Sequence, residues 1–169
     1  MHCEHDCTCC PTNASQSLDE MDFERGIWYV AQHGDIQNVR KHLNRGDVDQ
    51  RHTGYTALHY AARNGHLDVC KLLIDSGANI NAVTNGGVTA LSRAASTGHK
   101  EIVEYLLGKN ADPFIQDSDG KTALHKAAEN GHLHICRILL SVAEKLKDIE
   151  DKRGNRPNID VLLLQQFTV

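Results

Sequence analysis

The chain holds eleven histidines and six cysteines, the side chains best suited to ligate metals, move protons or attack as nucleophiles. Much of that chemistry is concentrated at the start. His2-Cys3-Glu4-His5-Asp6-Cys7-Thr8-Cys9-Cys10 packs four thiols and two imidazoles into one short run, a donor set rich enough for tetrahedral zinc. Cys3, Cys7, Cys9 and Cys10 with His5 are the candidate metal ligands, and zinc is the one cofactor the chain invites. Cys9 and Cys10 are adjacent, so a compact four-sulfur cage is awkward and several ligand sets stay open. Two other readings of the run are S-acylation, which would anchor the chain to a membrane, and a redox-sensitive tail.

The other cysteines and most other histidines recur at fixed intervals. Cys70 and Cys136 share a slot that Val103 fills midway between them, and inert buried thiols are the reading that follows. His59 and His125 occupy one recurring position, and His66, His99 and His132 another; His33, His42, His52 and His134 read as isolated and exposed. No Ser/His/Asp or Cys/His set can be assembled from what remains, so neither a catalytic residue nor an enzyme activity is expected.

The interval itself dictates the architecture. Gly54-Tyr55-Thr56-Ala57-Leu58-His59-Tyr60-Ala61-Ala62-Arg63-Asn64-Gly65-His66 returns from Gly87 to His99 and again from Gly120 to His132, 33 residues apart each time. A fixed period of that size, repeated without slippage, builds a stacked array rather than a closed globule. The pattern Thr-x-Leu-His-x-Ala-Ala-x-x-Gly-His resembles the ankyrin repeat, over roughly residues 24 to 150. The resemblance implies an all-α repeat solenoid of about four helix-turn-helix units with β-turn fingers and short terminal caps. The expected division is a flexible Cys/His-rich segment over 1–17, a repeat domain over 18–150, and a cap or tail over 151–169. The repeats fall at about 18–49, 50–83, 84–116 and 117–149.

Within each unit the local signals agree. Thr56, Thr89 and Thr122 stand as N-caps, followed by Ala57, Ala90 and Ala123 where the family usually has proline. Gly65, Gly98 and Gly131 supply the left-handed residue that ends each first helix. Second helices are predicted over Leu67–Ser76, Lys100–Lys109 and Leu133–Ala143, burying Leu73-Ile74, Leu106-Leu107 and Leu139-Leu140. Fingers are predicted over Asp47–Gly54, Asn79–Gly87 and Asp112–Gly120. The first unit lacks Thr-x-Leu-His and carries many charges, as suits a terminal repeat with one wet face. Ser17 and Glu20 have capping-box spacing, so a helix is predicted to begin at Leu18. The last unit lacks the Gly-Ala exit, and Arg153-Gly154-Asn155-Arg156-Pro157 reads as the start of an unfinished fifth repeat. Val161-Leu162-Leu163-Leu164 is expected to fold back as a cap, with a partner-binding tail as the alternative.

Composition bounds the partners. The net charge is -4, with both signs mixed along the chain, which argues against nucleic acid, whose binding calls for a basic stripe. No apolar run approaches the roughly 20 residues of a membrane span, and a cytoplasmic or nuclear monomer is expected. Only 5% of residues are aromatic, because small and aliphatic side chains fill narrow gaps between helix pairs.

The resemblance implies a protein–protein interaction module. It also implies that His59 and His125 tie their turns to the neighbouring unit, that His66, His99 and His132 bridge backbone between helices, and that Ser92 leaves one such tie missing. Stacking would align Tyr29, Tyr60, Arg93 and Lys126 in one ladder, aromatic at one end and basic at the other, beside a rung of Gln32, Arg63, Ser96 and Glu129. Tyr55, Val88 and Lys121 at the finger bases extend this surface. Tyr and Arg concentrate binding energy, so Tyr29, Tyr55, Tyr60, Arg63, Arg93, Lys121, Lys126 and Glu129 are the candidate partner-binding residues. An acidic peptide with an apolar anchor is the expected partner. By resemblance alone, Asn81 in Leu73-Ile74-Asp75-Ser76-Gly77-Ala78-Asn79-Ile80-Asn81 matches the asparagine that an oxygen-dependent hydroxylase modifies in some ankyrin repeats.

Overall fold

A computed structural model describes residues 26–46 and 48–159. The candidate zinc ligands Cys3, His5, Cys7, Cys9 and Cys10, the helix predicted from Leu18, and the Val161–Leu164 cap lie outside the described residues. Among the described residues four helix pairs follow one another: α1 (Ile27–Gln32) with α2 (Ile36–Leu43), α3 (Ala57–Asn64) with α4 (Leu67–Asp75), α5 (Ala90–Thr97) with α6 (Lys100–Gly108), and α7 (Ala123–Glu129) with α8 (Leu133–Val142). The second helices of units two to four end one residue earlier than the sequence suggests. Odd-numbered helices pack on one another in an inner layer, and even-numbered helices form an outer layer.

The core follows from the repeat register. Ile27, Leu58, Leu91 and Leu124 are buried at one position of the inner helices, with Val30-Ala31 beside the first and paired alanines beside the other three that let successive helices approach closely. Val39, Cys70, Val103 and Cys136 fill one slot of the outer layer. Burial pushes the Cys70 thiol up to about 12 and that of Cys136 up to about 11, so both stay protonated and inert. Of each expected apolar pair, Leu73, Leu106 and Leu139 are fully buried, whereas Ile74, Leu107 and Leu140 are half-buried at the edge of the core. The first unit presents Asn38 and His42 where later units have Val69 and Leu73, so its outer helix is polar on the face its neighbours bury.

Histidines stitch the stack together. His66 Nε2 lies 2.8 Å from Gln32 O, His99 Nε2 3.0 Å from Arg63 O and His132 Nε2 3.1 Å from Ser96 O, each reaching back one unit. Each ring lies over the glycine that ends the preceding inner helix. Gly65 and Gly98 adopt φ +83° and +87°, and a Cβ on either would sit 2.7 or 2.8 Å from the next histidine. Glycine there meets both a backbone and a packing demand.

The first finger is a two-residue hairpin: β1 (Arg51–His52) pairs antiparallel with β2 (Tyr55–Thr56) across Thr53-Gly54. Both turn residues have positive φ, 51° and 85°, the combination a hairpin twist favours. The second finger keeps an isolated bridge between Val83 and Thr89. The third closes with Asp117 N donating to Lys121 O at 2.9 Å. Fingers also bond one another, Ser118 N to Gly86 O and Lys152 N to Asp119 O. A further finger forms at Asp151–Asn155, where Asp151 N donates to Asn155 O and Asn155 N to the Asp151 carboxylate. The outer helices of units two and three exit through left-handed Gly77 and Asn110. Ala143 stands there in unit four with φ -146°, and the chain runs instead into a 3-10 helix, Glu144–Asp148, that buries Leu146 completely.

Candidate functional site

Inner helices and fingers together line the candidate surface, and the Thr-x-Leu-His turns set its shape. In α3, Thr56 N donates to His59 Nδ1 at 3.2 Å, and His59 Nε2 lies 3.0 Å from Val88 O of the next finger. The ring is therefore neutral, with its proton on Nε2. Burial, opposed by the hydrogen bond to Val88, lowers the His59 pKa to about 4. His125 repeats the arrangement with Thr122 and, at 3.3 Å, with Asn155 O. Ser92 takes this position in α5: its N–H donates to Thr89 Oγ1 at 3.1 Å and its hydroxyl accepts from the same group. Among the described residues it makes no bond to the third finger. A cavity of about 470 Å³ opens there, bounded by Tyr55, Thr84, Val88, Ser92, Arg93 and Asp117.

Tyr55 and Arg93 line the cavity, and Tyr60 stands beside Tyr55. The Tyr55 and Tyr60 rings lie 5.5 Å apart. Arg93 sits 5.1 Å over the Tyr55 ring and donates from Nη2 to its hydroxyl at 2.6 Å, a contact in which stacking and hydrogen bonding reinforce each other. The basic end of the ladder is altered by two ion pairs. Lys126 Nζ lies 2.8 Å from the buried Asp117 carboxylate, which also accepts the Asp119 and Lys121 amides. Burial drives the Asp117 carboxyl up, but the Lys126 hydrogen bond and the two amides outweigh it and hold the pKa below the usual range. Lys121 pairs with Glu129, so two candidate binding residues neutralise each other. Arg93 forms no ion pair with a carboxylate among the described residues, and its buried Nε finds no acceptor there.

The remaining candidates are spread out. Tyr29 packs on His33 of its own unit, 4.2 Å between ring centres. Arg63 is exposed at the end of α3, its carbonyl accepting from His99. Asn81 is half-buried: its side-chain oxygen accepts the Asp112 amide at 2.9 Å, tying the second finger segment to the third. His33 and His134 are exposed as expected, but His42 and His52 are half-buried. His52 stacks on Trp28 at 5.2 Å; Trp28 takes the register of His59 in the first unit, a substitution that sequence periodicity hid because the unit lacks the motif. Among the described residues no cluster of three or more His, Cys, Asp or Glu could hold a metal, and no helix is long and apolar enough to cross a membrane.

Stacked helix pairs, histidine ties and paired fingers define a class of repeat protein, and the chain belongs to the ankyrin repeat family. The family's profile, ankyrin repeats in three copies, matches residues 27–117 and 109–160. Proteins of this family mediate protein–protein interaction and are generally non-enzymatic. Among individual proteins the chain is similar to human ankyrin repeat domain-containing protein 39, 53% identical over 73 residues, or 41% of this chain and 39% of that one. It is similar to the bovine protein of the same name, 59% identical over 54 residues, 30% of this chain and 29% of that one. These matches span well under half of either relative's length. A rice protein described as a probable E3 ubiquitin-protein ligase is 68% identical over 31 residues, 18% of this chain but only 6% of its own length. That likeness is confined to the repeats.

Proposed function

We propose that this chain is a non-enzymatic adaptor, cytoplasmic or nuclear, that binds a protein partner along the groove formed by its inner helices and fingers. The observation that carries the reading is the cluster of Tyr55, Tyr60 and Arg93 beside an open cavity, with a guanidinium that no carboxylate among the described residues neutralises. Aromatic rings give area at low entropic cost, and an unneutralised arginine gives direction. Lys126 and Lys121 are already paired, so the groove's recognition of an acidic peptide centres on Arg93. Tyr60 supplies the apolar anchor point.

Quantitative affinity capture from cell lysate tests this, comparing the wild type with a Tyr60→Ala, Arg93→Ala, Lys126→Ala triple variant shown by circular dichroism to be folded. Specific loss of one or more partners from the variant is the expected outcome. An identical partner set for both proteins would remove the groove as the functional surface.

A further inference from the structure

We propose that the notch at Ser92 is a socket for a single acidic side chain, aspartate or glutamate, projecting from an extended partner segment. The proposal rests on the groove reading and narrows it to one position. In units two and four an imidazole bridges the inner helix and the next finger, reaching Val88 O or Asn155 O. In unit three the short Ser92 side chain leaves that bridge unmade, and a cavity of about 470 Å³ lies between the second and third fingers.

The chemistry of the lining selects the occupant. Arg93 donates one N–H to Tyr55 and has no carboxylate partner among the described residues. Ser92 is buried and accepts from Thr89, while its own hydroxyl hydrogen meets no acceptor there. Asp117 is the buried acid of the lining, and it is spent on two amides and Lys126. Asp119 is exposed at the rim, where water and salt screen it. The socket thus offers one unneutralised cation and a free hydroxyl donor in a partly enclosed space. Arginine holds a carboxylate by charge-assisted, directional hydrogen bonds. A cationic side chain would meet Arg93, and a neutral amide would forgo the charge.

The test is selection of a random peptide library displayed on phage against the full chain. Dissociation constants of the enriched peptides are then measured by calorimetry. Four proteins are compared: wild type, Ser92→Ala, Ser92→His, and a Tyr60→Ala, Lys126→Ala double variant. The Ser92→His side chain restores the imidazole of the other units, so this variant keeps or raises the melting temperature while filling the socket. Enriched peptides should share an Asp or Glu whose replacement by Asn or Gln weakens binding about tenfold or more. Ser92→Ala, which leaves the space open but removes the hydroxyl donor, should weaken binding less than Ser92→His, which should lose about tenfold or more. The socket is wrong if no peptide is enriched, if the enriched peptides share no acid, or if they bind Ser92→His as tightly as wild type. Peptides that keep Ser92→His but lose the double variant would leave the groove standing without the socket. Peptides that bind all four proteins equally would remove both.

Discussion

An imidazole in the Thr-x-Leu-His turn holds its place only while neutral, because Nδ1 of His59 accepts the Thr56 amide and cannot also carry a proton. The folded pKa is depressed from 6.5 to about 4, so the native state resists a proton that the unfolded chain takes up. Stability is full above pH about 6.5 and falls as pH drops toward about 4, by up to about 3 kcal/mol from this residue. Urea titrations between pH 7 and 4 should show that slope, and a His59→Gln variant should flatten it; an unchanged slope would contradict the assignment. The structural part played by this histidine was legible in the sequence, since its position repeats with the period. The pairing of Lys126 with Asp117 was not. It depends on a finger folding back over the inner helix of its own unit, and the corresponding finger residues, Arg51 and Thr84, give no hint of a carboxylate there.

Helix ends carry the coupling between units. Gly98 combines a φ of +87° with a histidine ring 2.8 Å from any added Cβ, whereas Gly131 has φ +75° and nothing within 4 Å. Gly98→Ala should therefore cost about 2 kcal/mol or more, and Gly131→Ala only the backbone share, about 1 kcal/mol. Chemical denaturation of the two variants isolates the contact with His132; equal losses would show that the ring has no part in it. The glycines were legible because the left-handed residue after a helix is a local requirement. The 3-10 exit after α8 was not, because burial of Leu146 depends on the core edge it covers, which only the stacked array creates.

At the scale of the whole molecule, a regular stack with one irregular unit focuses recognition on that unit. Ties of the Thr-x-Leu-His type span from the second unit to the third and from the fourth to the finger beyond it. Between the third and fourth, Ser92 interrupts them beside the half-buried Tyr55 ring and Arg93 guanidinium. Periodicity reveals the stack and even the missing histidine, yet not the cavity, whose walls come from three fingers and two inner helices distant in sequence. The central claim is that the groove holds the partner. Its most direct test places a photo-crosslinking amino acid at exposed Asn64 on inner helix α3 and, separately, at exposed Glu104 on outer helix α6. A captured partner that crosslinks from residue 64 and not from residue 104 is the predicted result. Crosslinking from residue 104 alone would place the partner on the outer layer and contradict the account.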